Sequence, residues 1–289
     1  MQEIIKIKID NFIFDCRTDG HKENELVIFL HGWPETSHMW KNLMSDFSKN
    51  GFYCVAPNLR GYSQGACPEE IGKYSLDKLA DDILRIFEFF NKSKFHLVGH
   101  DWGAIIGWKL VHDNQDKILS WTGISVPHPK AFSKAMLTDK EQIKMSEYVK
   151  HFQTPIIPEE QIRKNDFKML RQLWKNCTKD EIDDYLKVFS NPKQLTASLN
   201  YYRSNYDFLK NASEKQTLGN INVPTLFIWG NKDMAIGKHS VSENHQYMKS
   251  DYEFLELNSG HWLIQTKYNE LKTAISRHIL KNKTVPNNV

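Results

Sequence analysis

The chain has 289 residues, 40% of them hydrophobic, 25% charged and 12% aromatic, which is enough apolar material for one substantial core and a length suited to one large domain or one domain with an insertion. The formal net charge of +3 is small for this size, and Lys and Arg are scattered with no basic run interleaved with aromatics, so neither nucleic acid nor a membrane surface is expected as a partner. Cys16, Cys54, Cys67 and Cys177 show no Cys-x-x-Cys spacing, which argues against a zinc site or a disulfide framework and for buried free thiols.

From the start of the chain, residues 3–15 alternate apolar and polar (Ile5, Ile7, Ile9) and run on into Phe12-Ile13-Phe14, the pattern of one or two opening strands. No continuous apolar signal-peptide core opens the chain, and no stretch reaches the roughly 18–20 apolar residues of a spanning helix, so the expected compartment is the cytoplasm. The sequons Asn91-Lys92-Ser93 and Asn211-Ala212-Ser213 carry little weight there. Runs at 26–30, 53–56, 95–98 and 225–229 are short and apolar on both faces, as parallel strands covered by helices on both sides should be. Residues 118–126 (ILSWTGISV) are a fifth candidate, and 252–257 alternate like an edge strand.

Helical patterns lie between these runs. Residues 75–90 place Leu76, Leu79, Ile83, Ile86, Phe87 and Phe90 at spacings of three and four, with Ser75 as N-cap, and 103–112 and 270–280 also read as helices. The alternation predicts an α/β fold with a mostly parallel sheet. Pro127-His128-Pro129 breaks the rhythm, and no parallel-type strand follows until Val223-Pro224-Thr225. Residues 128–220 therefore read as a mostly helical insertion over the carboxyl ends of the strands, carried by a core of 1–127 and 221–289. The tail 281–289 reads as low in structure.

The sharpest local signal is Phe95-His96-Leu97-Val98-Gly99-His100-Asp101-Trp102-Gly103-Ala104, an apolar strand running through Gly-x-Asp-x-Gly into a helix. This is a nucleophile elbow with Asp where Ser commonly sits. The helix dipole at this turn favours a carboxylate. The plainer reading makes Asp101 a helix N-cap. Leu226-Phe227-Ile228-Trp229-Gly230-Asn231-Lys232-Asp233 sets an acid after a strand, and Asn258-Ser259-Gly260-His261-Trp262 sets a histidine after the last one. Alone, Asp233 is an ordinary turn residue and His261 one of 12 histidines; together the three follow the order nucleophile, acid, histidine. Leu30-His31-Gly32-Trp33-Pro34-Glu35 follows the first central strand, so the oxyanion-hole donors would be the backbone N–H groups of Trp33 and Trp102, whose indoles could also wall a pocket.

The chain resembles the epoxide hydrolases of the α/β-hydrolase family, in the branch that uses an aspartate nucleophile. The resemblance rests on HGWPE at 31–35, RGYSQG at 60–65, GHDWGA at 99–104, WGNKD at 229–233 and GHW at 260–262, which span almost the whole core. It implies a helical lid, a cis Trp33-Pro34 bond, and two lid tyrosines that hold an epoxide oxygen; Tyr148 in YVKHFQ and Tyr202 in LNYYR fall in segments similar to those that bear them. The family usually has Trp-Tyr-Arg in the second segment, and Tyr201 stands here in place of the Trp. The implied reaction converts a small to mid-sized apolar epoxide and water to a diol through a covalent Asp101 ester, hydrolysed by water that His261 activates with Asp233 behind it. No metal or cofactor is implied. A pocket walled by Trp33, Pro34, Trp102 and Trp262, with Trp174 a further candidate, is expected.

A haloalkane or haloacid dehalogenase shares this chemistry, but those enzymes resemble HGNP or HDRG where this chain has HGWP and HDWG. An esterase would carry Ser at 101. A non-catalytic sensor on the same fold would bind an apolar ligand without turning it over. Nothing in the sequence decides between monomer and homodimer.

Overall fold

The structure, a computed structural model, describes residues 2–211 and 218–284. Ala212 and Ser213 of the second sequon, the stretch 212–217 and the tail 285–289 lie outside the described residues. An antiparallel hairpin of β1 (Glu3–Ile9) and β2 (Phe12–Asp19) opens the fold, turning at Asp10. β3 (Glu25–Leu30), β4 (Phe52–Pro57), β5 (Phe95–His100), β6 (Ile118–Ile124), β7 (Thr225–Gly230) and β8 (Tyr252–Leu257) complete one sheet of order β1-β2-β4-β3-β5-β6-β7-β8. Every pairing from β4 through β8 is parallel. The apolar runs became the inner strands because they are buried on both faces, whereas β8 alternates in burial and lies at the edge.

Helices α1 (Lys41–Lys49), α2 (Leu76–Phe89) and α3 (Trp102–Asp113) follow β3, β4 and β5, with α3 packed on β5 and β6. Ser75 holds the N-cap position of α2, but its side chain makes no capping bond. The free Leu76 N–H donates instead to Asn205 Oδ1 at 2.8 Å, so a distant residue does the capping that the local pattern assigned to Ser75.

Between β6 and β7 the described secondary-structure elements are helices, α4 (Pro129–Thr138), α5 (Lys140–Met145), α6 (Glu147–His151), α7 (Ile157–Leu173), α8 (Lys179–Phe189), α9 (Pro192–Ser204) and α10 (Tyr206–Asn211), apart from an isolated β-bridge at Ile221. α7 is broken at 164–167, where Asn165, Asp166 and Phe167 take left-handed dihedrals. These helices are bonded to the loops at the carboxyl ends of β3 and β4. Trp174 Nε1 donates to the Pro34 carbonyl at 3.1 Å, and the Tyr201 hydroxyl donates to the Arg60 carbonyl at 2.6 Å. Arg60 is itself fixed by a buried two-pronged pair with Asp82 at 2.6 and 2.7 Å, which ties this loop to α2.

After β7 come α11 (Lys238–Ser242), α12 (Leu263–Thr266) and α13 (Tyr268–Lys281), the last packed against β6 and β7. The tail read as unstructured thus loses its first residue, Lys281, to a helix. All four thiols are free; Cys16 and Cys54 are buried in strands, but Cys67 and Cys177 are only half-buried because they lie in connecting turns. Among the described residues no helix is long and apolar enough to cross a membrane.

Candidate active site

β5 delivers Asp101 into a turn with φ 54° and ψ −120°, and α3 begins at the next residue. A left-handed φ is costly for a residue with a side chain, so the turn stands only because its surroundings fix it. Two glycines are part of that fixing. A Cβ on Gly103 would lie 2.2 Å from the Leu30 carbonyl oxygen, and one on Gly32 would lie 2.3 Å from both Cβ and Oδ1 of Asp101. Gly32→Ala is therefore expected to push the Asp101 carboxylate out of place. Turnover should fall by roughly 10²-fold or more, the cost of about 1 Å of misplacement at a reacting group. Assaying turnover beside circular dichroism checks it; full activity would show that the close approach at Gly32 is not needed.

Asp101 Oδ1 accepts the Trp33 N–H at 2.7 Å, and Oδ2 lies 3.4 Å from His261 Nε2. His261 Nδ1 in turn sits 2.9 and 3.0 Å from the two oxygens of Asp233. Asp233 Oδ1 also accepts the N–H groups of Ala235 and Ile236 at 2.8 and 3.1 Å, so the turn role and the histidine-facing role coexist in one side chain. Sequence reading missed Ser125, whose hydroxyl donates to Asp233 Oδ2 at 2.7 Å and lies 2.9 Å from His261 Nδ1. Its one signal was its place just beyond the strand preceding the insertion.

Behind the histidine, His100 Nε2 donates to the His261 carbonyl at 2.9 Å, and Glu35 takes the Gln265 amide at 2.6 Å. These bonds hold the loop that carries His261. His31 is a structural histidine: Leu59 N–H donates to its Nε2 at 3.1 Å, leaving Nδ1–H for the Gly32 carbonyl, and burial pulls its pKa down to about 4. It is neutral and holds the loop that bears Trp33.

Burial works against charge on His261, but the Asp233 and Asp101 carboxylates overcome it and hold the imidazole well above the ordinary histidine range. Burial likewise opposes a charged Asp233, and the imidazolium, Ser125 and the Ala235 amide reverse that and keep it below the usual carboxylate range.

A cavity of about 310 Å³, predominantly apolar, opens over Asp101 and His261. Trp33, Tyr148, Tyr202 and Trp262 line it, as do Phe152, Leu173 and the three methionines Met145, Met169 and Met234. Burial raises both tyrosine hydroxyls above the usual phenol range, with Asp101 adding to the rise, so both are protonated donors. Of the adjacent pair, Tyr202 faces the cavity, while Tyr201 turns away to Arg60. Trp102 lines a second, smaller cavity that also touches Asp101, Tyr148 and Tyr202.

Two expectations are corrected. Pro34 is not among the lining residues: its peptide bond with Trp33 is cis, and its carbonyl is taken by Trp174. Trp174 is fully buried against Tyr185 and Phe189 and walls no part of the cavity. Phe152, four residues from Tyr148 and thus on the same helical side, could have been found from spacing; the methionines carried no such signal. Among the described residues no group of three or more His, Cys, Asp or Glu is arranged to hold a metal ion.

The profile of the alpha/beta hydrolase fold family matches residues 25–268. Epoxide hydrolase 3 of Xenopus tropicalis is 30% identical, the match covering 96% of this chain and 77% of that protein. Epoxide hydrolase 4 of Homo sapiens is 31% identical, over 90% of this chain and 74% of that protein. Among solved structures, an epoxide hydrolase of Bacillus megaterium in complex with an inhibitor superposes with a TM-score of 0.86 at 28% identity, covering 96% of this chain and 100% of that one.

Proposed function

The chain belongs to the alpha/beta hydrolase fold family as an epoxide hydrolase-like member, and from that premise we propose that it opens an apolar epoxide to a vicinal diol with Asp101 as nucleophile. The observation that carries the reading is the set of groups on one apolar cavity: a carboxylate, two protonated tyrosines and a histidine backed by an acid. A carboxylate needs no base to attack a strained saturated carbon. As the C–O bond breaks, the epoxide oxygen takes up negative charge, and the Tyr148 and Tyr202 hydroxyls hydrogen-bond it and supply the proton. The first product is an ester of Asp101.

The His261 imidazolium returns a proton to the tyrosine that gave one up; now neutral, its Nε2 takes the proton of the water that attacks the Asp101 carboxyl carbon, and Asp233 stabilises the imidazolium that re-forms. The oxyanion formed lies at the Trp33 N–H and at the Trp102 N–H, one of the unpaired first-turn donors of α3. Collapse releases the diol and restores the carboxylate. The scheme uses no metal or cofactor. It assigns 128–220 as a cap over a core of 1–127 and 221–289, which fits the helices bonded over the β3 and β4 loops. Four unpaired thiols favour a cytoplasmic setting.

Styrene oxide and a short bromoalkane, offered separately, test the reading. Diol without bromide is the expected result; bromide without diol would reassign the chain to dehalogenation. Tyr148→Phe and Tyr202→Phe should each lower kcat/KM on styrene oxide by roughly 10-fold to 100-fold, and the double variant by roughly 10²-fold to 10⁴-fold, the range of general-acid assistance. Undiminished turnover in the double variant would remove the tyrosines from the chemistry.

A further inference from the structure

Two cavities meet at Asp101, and they are very unequal. The large one is about 310 Å³; the other is about 20 Å³. Asp101, Tyr148 and Tyr202 line both, so the reacting centre lies at the junction. The small cavity is also walled by Ile105, Val126, Phe132, Leu209 and Ile236, none more than 6% exposed. These side chains come from α3, α4, α10 and two loops at strand ends, so no single hinge clears them.

An epoxide carries its substituents on the two carbons that flank the oxygen. With the oxygen at the tyrosines and the ring at Asp101, groups on opposite carbons extend apart, one into each cavity. A void of roughly 10–15 Å³ in this measure holds one water. The small cavity therefore takes a hydrogen or a methyl and excludes a chain, because close-packed walls resist added methylenes. The large cavity has no Lys or Arg in its lining, its His261 is already paired with Asp233 and Asp101, and its exposed His151 is hydrogen-bonded to Gln161 at 2.7 Å, so the rest of its lining is predominantly apolar.

We infer that the substrate is a terminal epoxide, with one uncharged apolar substituent in the large cavity and its CH2 end in the small one, and that Phe132 sets this limit. The inference rests on the proposed epoxide hydrolysis and names its substrate class. The test uses three isomers of epoxyoctane that differ only in oxygen position: at the chain end, one carbon in, and trans at mid-chain. Equal composition removes differences in overall hydrophobicity.

The expected order of kcat/KM is chain end, then one carbon in, then mid-chain, with the extremes separated by roughly 100-fold. Phe132→Ala should raise the ratio of mid-chain to chain-end turnover by roughly 10-fold, since it enlarges the small cavity. Leu209→Ala, in the same wall, replaces it if that variant does not fold. Similar kcat/KM for all three isomers, or a ratio unmoved by either variant, would overturn the inference and leave the epoxide reading intact. No diol from any isomer would overturn both.

Discussion

Asp101→Ala is expected to abolish diol formation while leaving the fold intact. The variant keeps the Gly103 approach to the Leu30 carbonyl in the β5–α3 turn but has no atom that can form the ester. In a hydrolase that works through a covalent intermediate, loss of the nucleophile costs roughly 10⁴-fold to 10⁶-fold in kcat. The tyrosines and the histidine cannot substitute, since neither supplies a nucleophile at the epoxide carbon. Diol measured by chromatography, beside a circular dichroism spectrum, checks it. Activity above about 1% of the parent would mean that water attacks the epoxide directly, because a 10⁴-fold loss leaves far less.

His261→Gln should produce the opposite partial phenotype, with alkylation retained and turnover stalled. Ring opening draws on Asp101 and the tyrosines, whereas ester hydrolysis requires a base for water, an assistance of roughly 10²-fold to 10⁴-fold. Intact-protein mass spectrometry should then show the chain heavier by one epoxide. The pH dependence has a definite sign. In the free enzyme both Asp233 and Asp101 raise the His261 pKa against the effect of burial. Esterification removes the Asp101 charge, so His261 becomes easier to deprotonate at the moment a base is needed. Hydrolysis of the ester should therefore slow as pH falls through this lowered value, while alkylation should not slow with it. Rapid-quench measurement of the two half-reactions separates them; an acid limb on alkylation alone would reverse the assignment of His261.

Much of the fold was legible because its inner strands are short and apolar on both faces, a pattern that a covered parallel sheet produces, and they alternate with helical patterns. Asp101 was legible because Gly-x-Asp-x-Gly between strand and helix encodes a steric need, now visible where a Cβ on Gly103 would strike the Leu30 carbonyl. The choice between Tyr201 and Tyr202 was not. Neighbours on a helix point about 100° apart, and which one faces the nucleophile depends on a bond from Tyr201 to the Arg60 carbonyl, 141 residues away in sequence. The capping of α2 by Asn205 and the seat of Trp174 on the Pro34 carbonyl failed to show for the same reason. Both are long-range pairings between the inserted helices and the core. Ser125 left no pattern because a single hydroxyl at a strand end has no spacing to read.

The covalent Asp101 ester is tested most directly by one turnover in ¹⁸O-labelled water with enzyme in excess over styrene oxide. One diol oxygen then comes from the epoxide and the other from the Asp101 carboxylate, so the diol should be unlabelled and the label should appear in the peptide containing Asp101. Label in the diol after a single turnover, with none in that peptide, would contradict the mechanism and assign the attack to water.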